Sequence, residues 1–162
     1  MPSFRVRVAK DYTVFASAHF VTYDRDQSEP IHGHNYRAAV GIEGALDENH
    51  YVFNFVPLKR HLRTICDRLD HHLLLPTGNP IIDIAQDETS YLIRQGDKHY
   101  VIPKEDVVQL PIPNTTAELL ARWISEQLVA WLRETGVTGL TALEVEVEET
   151  FGQTATYRHE LK

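Results

Sequence analysis

The stretch 28-SEPIHGHNY-36 sets His32 and His34 one residue apart, with Glu29 three residues before the first of them. On an extended strand, residues i and i+2 point the same way, so the two imidazoles share a face and Gly33 keeps the other side small. His19 ends an earlier run of small residues, 15-FASAH-19, and can meet the pair across a hairpin. Three neutral imidazoles leave a fourth position open on a zinc ion, as catalytic zinc sites do. H-x-H is also a short pattern that exposed or core histidines satisfy by themselves.

Two other places carry chemistry. In 69-LDHHLLL-75, Asp70 stands beside His71. Histidine suits the negative end of a helix, so the motif can simply end one. Alternatively the acid can hold the imidazole in one tautomer and stabilise its charged form, as a proton-transfer pair requires. Near the C-terminus, Leu143, Val145 and Val147 share one parity while Glu144, Glu146 and Glu148 take the other, which puts Glu149 on the apolar side. A carboxylate there needs a partner: a salt bridge, a β-bulge that turns it outward, or a ligand with paired N–H donors.

These residues must be placed by the surrounding elements. Residues 4–20 alternate Phe4, Val6 and Val8 with Arg5 and Arg7 and continue through Val14 and Phe15, which predicts one long strand, or two joined at Lys10-Asp11. The start, MPSFRVRVAKDY, has no signal-peptide core and reads directly as strand. A polar loop, 23-YDRDQSEP-30, precedes a second alternating run from His32 to about Ile42. Leu58, Leu62, Ile65 and Leu69 then form a helical stripe that Asn54 can cap, with Pro57 tolerated in the first turn.

Between Pro76 and Pro113 the runs Tyr91–Arg94 and His99–Ile102 flank Gln95-Gly96-Asp97-Lys98 and predict an inserted hairpin. Thr115 with Glu118 makes a capping-box pattern opening a second helix of about 20 residues that Gly136 closes. Two more strands follow. The order gives an α+β domain with an antiparallel sheet and helices on one face.

At 162 residues the chain fits one domain, 1–162. Its hydrophobic content of 43% and charged content of 24% are those of a globular protein, and no apolar run approaches a membrane span. The net charge of −7 is spread along the chain with no Lys/Arg cluster, which argues against nucleic acid as a partner. Cys66 is the single cysteine, which excludes an intrachain disulfide and points to a reducing, cytoplasmic compartment.

Taken together, 15-FASAH-19, 32-HGHNY-36, the YVFNF-to-LKRHL helix entry, 69-LDHH-72, 115-TTAELLA-121 and 148-EET-150 resemble the 6-pyruvoyltetrahydropterin synthase and 6-carboxytetrahydropterin synthase family. The resemblance implies a tunnelling fold, in which a four-stranded antiparallel sheet carries two helices on one face. It further implies trimers whose sheets close a barrel, usually paired into hexamers, and an insertion at about 76–112 relative to shorter members. By the same resemblance His19, His32 and His34 hold zinc, Glu149 anchors the pterin with Thr150 and Thr116 nearby, and Asp70 and His71 transfer protons.

One position departs from the usual pattern: Ser28 stands where typical members carry a catalytic cysteine. Glu29 instead matches the third type of pyruvoyltetrahydropterin synthase, whose members use a glutamate there, and Glu29 would act as the general base. Those members cleave the side chain of 7,8-dihydroneopterin triphosphate to give 6-hydroxymethyl-7,8-dihydropterin for folate synthesis. A different product of the same fold, 6-pyruvoyl- or 6-carboxytetrahydropterin (the biopterin and queuosine routes), and a pterin-binding protein without turnover are the alternatives.

Overall fold

The computed structural model describes residues 3–161, so the expected strand start at Met1 and Pro2 lies outside the described residues. In chain order the elements are β1 (Phe4–His19), β2 (Thr22–Tyr23), β3 (Gln27–Ser28), β4 (His32–Gly44), α1 (Phe55–Leu69), β5 (Leu73–Pro76), β6 (Asp83–Gln86), β7 (Ser90–Gln95), β8 (Lys98–Pro103), a 3-10 turn at Lys104–Asp106, β9 (Val107–Leu110), α2 (Ala117–Thr135), β10 (Leu140–Thr150) and β11 (Gln153–Glu160). The fold is of the mixed α+β class.

The principal sheet runs β11-β10-β4-β1-β5-β9. Its first four strands are antiparallel, and β5 and β9 extend it in parallel beyond β1. The expectation of four strands is therefore corrected to six. Leu73–Pro76 is buried at every residue, so it shows no alternation, and four apolar residues are too few to separate a strand from the end of a helix. The segment between Pro76 and Pro113 also holds more than the expected hairpin: β6, β7 and β8 form a three-stranded antiparallel sheet. The 23–30 loop contains a small ribbon, with Thr22 opposite Ser28 and Tyr23 opposite Gln27.

Alternation decides what the sheet buries. Tyr36, Ala38, Val40 and Ile42 of β4 and Leu143, Val145 and Val147 of β10 lie under α1 and α2 in one apolar cluster. Leu58, Leu62, Ile65 and Leu69, the stripe on α1, are all buried there, and Asn54 caps the helix by accepting the Val56 N–H at 2.9 Å. On the opposite face Arg7 holds Glu146 through bonds of 2.9 and 2.6 Å, Arg158 holds Glu43 at 2.7 and 2.9 Å, and Arg5 pairs with Glu144.

β1 cannot keep one parity from end to end. Val8 pairs with Val40 and Phe15 pairs with Tyr36, and all four side chains are buried. Between them, the four residues Lys10–Thr13 stand opposite the single residue Ala38. This bulge adds an odd number of residues, so the inward side of β1 changes from even-numbered to odd-numbered positions. Phe15, Ser17 and His19 consequently point into the helix side. Thr13, fully buried, holds the bulge: its Oγ1 lies 2.9 Å from the Lys10 carbonyl and 2.8 Å from that of Ala38, and 3.3 Å from the Lys10 N–H.

Thr13→Val keeps the shape and removes these bonds, leaving buried backbone groups unsatisfied. Denaturant unfolding is expected to show a loss of about 1–3 kcal/mol, and wild-type stability would mean that the bulge is held by other contacts.

Candidate active site

His19 and His32 are directly paired at the ends of β1 and β4, and His34 lies two pairs further, opposite Ser17. One ligating atom from each of the three comes within 4.8 Å of the others. The Nε2 atoms of His19 and His32 are 3.2 Å apart, close to the roughly 3.3 Å that two nitrogens keep on a tetrahedral zinc with bonds near 2.0–2.1 Å.

The tautomers support ligation. His19 Nδ1 donates to the Thr115 carbonyl at 2.9 Å, and His32 Nδ1 donates to the Pro30 carbonyl at 2.9 Å. His34 Nδ1 meets Thr150 Oγ1 at 3.2 Å. With the Nδ1–H of His19 and of His32 given to carbonyls, their Nε2 atoms keep free lone pairs, and outer partners of this kind are what orient metal-binding histidines. Burial pushes the His19 imidazole below its ordinary pKa, the neighbouring His32 and His34 work the same way, and the Thr115 carbonyl and Glu149 only partly oppose them. A neutral imidazole is the form a metal needs. The residues present therefore fit a metal ion.

Glu149 lies on the inward side, where the alternation placed it. The β10–β11 ladder shifts register between Glu148 and Thr150, leaving Glu149 out of the pairing. Its Oε1 is 3.6 Å from His19 Nε2 and 3.9 Å from His34 Nε2. Burial together with the charge of this carboxylate keeps the Tyr36 phenol well above its ordinary pKa, and the Tyr36 hydroxyl lies 3.1 Å from His19 Nδ1. Glu149 and Thr116 line a cleft of about 360 Å³ together with Val21, Glu118, Gln153 and Thr154.

Thr116, not Thr115, caps α2, its Oγ1 accepting the Leu119 N–H at 3.4 Å. Thr115 is unavailable because its hydroxyl donates to the Phe20 carbonyl at 3.1 Å while its own carbonyl holds His19. Thr150 turns to His34 and lines a neighbouring cleft with Phe151 and Arg37.

Ser28 and Glu29 part company in space. The Ser28 side chain is buried, donates to Gln95 Oε1 at 2.5 Å and accepts from Lys98 Nζ at 3.0 Å. The Glu29 carboxylate accepts the Val21 N–H at 3.2 Å and stands 3.8 Å from His32 Nε2. Cys66 is fully buried in α1, where burial pushes its thiol up to about 12, so it offers no thiolate.

Asp70 and His71 form a pair apart from the three histidines. Asp70 ends α1, and His71 follows with φ of +60°. Asp70 accepts the Ala16 N–H at 2.7 Å, His71 N–H donates to the Ala16 carbonyl at 2.7 Å, and the two side chains meet at 2.8 Å. Burial acts to raise the Asp70 pKa, yet the Ala16 N–H and the His71 ring hold it below the ordinary value. His71 is largely exposed and shares with His34 the wall of a second cleft, of about 490 Å³.

Sequence reasoning missed the groups that aim these side chains. The carbonyls of Thr115 and Pro30 leave no mark on residue type, and Gln95 and Lys98 are far from Ser28 in sequence.

A sequence profile described as 6-pyruvoyl tetrahydropterin synthase matches residues 8–160. A Methanocaldococcus jannaschii protein provisionally named 6-carboxy-5,6,7,8-tetrahydropterin synthase is 35% identical over 149 residues, 91% of each chain. A Pyrococcus abyssi protein with the same provisional name is 34% identical over 71% of this chain and 69% of its own. Among solved structures, the 6-pyruvoyl tetrahydropterin synthase of Plasmodium vivax superposes with a TM-score of 0.93 at 29% identity, covering 99% of this chain and all of that one. The same fit holds for variants of the P. vivax protein in which a glutamate described as a catalytic residue is replaced by alanine or by cysteine. The profile match spans the four antiparallel strands and both helices, and the chain belongs to the 6-pyruvoyl tetrahydropterin synthase family of pterin side-chain lyases.

Proposed function

We propose that this protein is a zinc-dependent lyase that breaks a carbon–carbon bond in the C6 side chain of 7,8-dihydroneopterin triphosphate, releasing 6-hydroxymethyl-7,8-dihydropterin. The observation that carries this reading is the pairing of an available Glu29 carboxylate, 3.8 Å from His32, with a Ser28 hydroxyl committed to Gln95 and Lys98. The base that replaces the usual thiol in this reading is then a carboxylate. The catalytic glutamate of the P. vivax enzyme supports the same assignment.

His19, His32 and His34 would hold the zinc, which supplies Lewis-acid stabilisation of negative charge on a side-chain oxygen. Glu149 would accept hydrogen bonds from the 2-amino and ring N–H groups of the pterin, with Thr116 across the cleft, and Thr150 would keep His34 oriented. Glu29 would remove the proton of the side-chain 2′-hydroxyl. As that oxygen becomes a carbonyl, the C1′–C2′ bond breaks and its electrons pass toward the ring. Asp70 and His71 would return a proton to C1′.

The whole chain would act as one catalytic unit, in a cytoplasmic homo-oligomer, trimeric or hexameric. Among the described residues the outer edge of β11 has no partner strand, and such an edge is commonly covered. The provisional names of the archaeal relatives favour a second reading, a 6-carboxytetrahydropterin product from the same site. Incubation with 7,8-dihydroneopterin triphosphate followed by pterin chromatography separates the two.

Elemental analysis of protein purified without added metal is expected to find about one zinc per chain. The His32→Ala, His34→Ala double variant should lose it, and full retention would move the metal elsewhere.

Glu149→Gln replaces one acceptor oxygen with a donor facing the pterin's own N–H groups, so affinity for biopterin should fall by about 2–3 kcal/mol with metal retained. Metal loss with unchanged pterin affinity would instead make Glu149 a fourth ligand.

Glu29→Gln should keep zinc and biopterin binding while turnover drops by roughly 100-fold or more, the scale of a general base. Ser28→Ala should cost much less, and a dead Ser28→Ala beside an active Glu29→Gln would reverse the assignment.

A further inference from the structure

We infer that the inserted sheet β6–β8 positions Glu29, and that Lys98 and Gln95 are the residues through which it does so. The inference rests on Glu29 being the base. These two residues pair across the end of the β7–β8 hairpin, where Gly96 takes a φ of +57° to close the turn. Both reach the 26–29 segment. Lys98 Nζ donates to the carbonyl of Ser28, to its hydroxyl at 3.0 Å and to the carbonyl of Glu29 at 3.1 Å. Gln95 receives the Ser28 hydroxyl on Oε1 and donates from Nε2 to the Asp26 carbonyl.

Three of the clamp's five bonds go to backbone carbonyls. No carboxylate among the described ion pairs lies within reach of Lys98, so its three donors serve one turn of chain. Two carbonyls in succession, Ser28 and Glu29, converge on the ammonium, and the next, Pro30, holds the ring of His32. Glu29 is further tied on its other side, its N–H donating to the Val21 carbonyl at 3.0 Å and its carboxylate accepting from the Val21 N–H. With the backbone held on both sides, the carboxylate keeps only its side-chain rotations.

The hairpin can serve as a brace because it is itself anchored. Ile93 of β7 is fully buried with Phe20, Leu73, Leu75 and Ile82, and Tyr100 of β8 packs on Phe20 at 6.1 Å. Phe20 directly follows the ligand candidate His19. The insertion therefore touches the chain at both flanks of the site, after His19 and before His32.

A base displaced by even an ångström loses much of its effect, so Lys98→Met, which keeps the stem and removes the donors, should lower kcat by roughly 10- to 100-fold. The KM for 7,8-dihydroneopterin triphosphate and the zinc content should stay within about twofold of the parent, since the substitution spares binding groups. Hydrogen exchange of the zinc-loaded protein should show faster exchange confined to residues 22–30. In a Glu29→Gln background, Lys98→Met should have no further effect on the residual rate, the mark of a residue that acts through Glu29. If Lys98→Met fails to fold, Lys98→Gln is read in the same cycle. Parental kcat, or unchanged exchange at 22–30, overturns the proposal, and so does an additive loss on top of Glu29→Gln. Full turnover by Glu29→Gln alone would overturn the base assignment, while the exchange measurement would still report whether the clamp exists.

Discussion

The site depends on a change of parity in one strand. A β-strand presents alternate residues to alternate faces, so a strand that buries Val8 by regular alternation would turn His19 to the side away from the helices. The bulge at Lys10–Thr13 inserts an odd number of residues and reverses this, bringing His19 to the face that already holds His32 and His34. A single polar side chain in the core, Thr13, satisfies the backbone that the bulge frees. The same device separates two kinds of surface along one strand: before the bulge, the arginines of β1 pair with glutamates on the outer face, and beyond it the strand carries imidazole on the inner one.

Convergence alone would not make a metal site, because an imidazole can present either nitrogen. Here the choice is made by acceptors from three separate segments: the chain before α2, the turn before β4 and the end of β10. Each engages an Nδ1, and for His19 and His32 the carbonyl partner leaves Nε2 with its lone pair. Two of the acceptors are backbone carbonyls, whose positions follow from the fold and survive any side-chain change. The buried tyrosine adds a further constraint, since the Tyr36 hydroxyl stands 3.1 Å from His19 Nδ1.

What could be read from residue order divides along physical lines. The stripe and cap of α1, the alternation of β4 and β10 and the inward placement of Glu149 are local periodicities, and the folded chain keeps them. β5 and β9 were not legible, because four residues carry no period and their pairing is decided by partners far along the chain. The helix start at Thr116 rather than Thr115 turned on which hydroxyl was already engaged with Phe20, a tertiary fact. The bulge was visible only as a break at Lys10-Asp11. Its count of extra residues, on which the orientation of His19 hangs, depends on pairing with Ala38.

The histidines show how one residue type is given two different roles by environment. His19 is buried and flanked by two other imidazoles, so a proton on it is disfavoured and its lone pair stays available. His71 stands in solvent with a carboxylate at 2.8 Å, and that carboxylate is itself kept ionised by the Ala16 N–H. The His71 ring thus faces a carboxylate held in place by backbone. The left-handed backbone at His71, an uncommon conformation for a residue with a side chain, turns the ring outward just where α1 ends. The same Ala16 peptide that receives both members of this pair belongs to the strand that ends in His19. Contacts with one strand therefore place both the candidate metal-binding nitrogen of His19 and the Asp70-His71 pair.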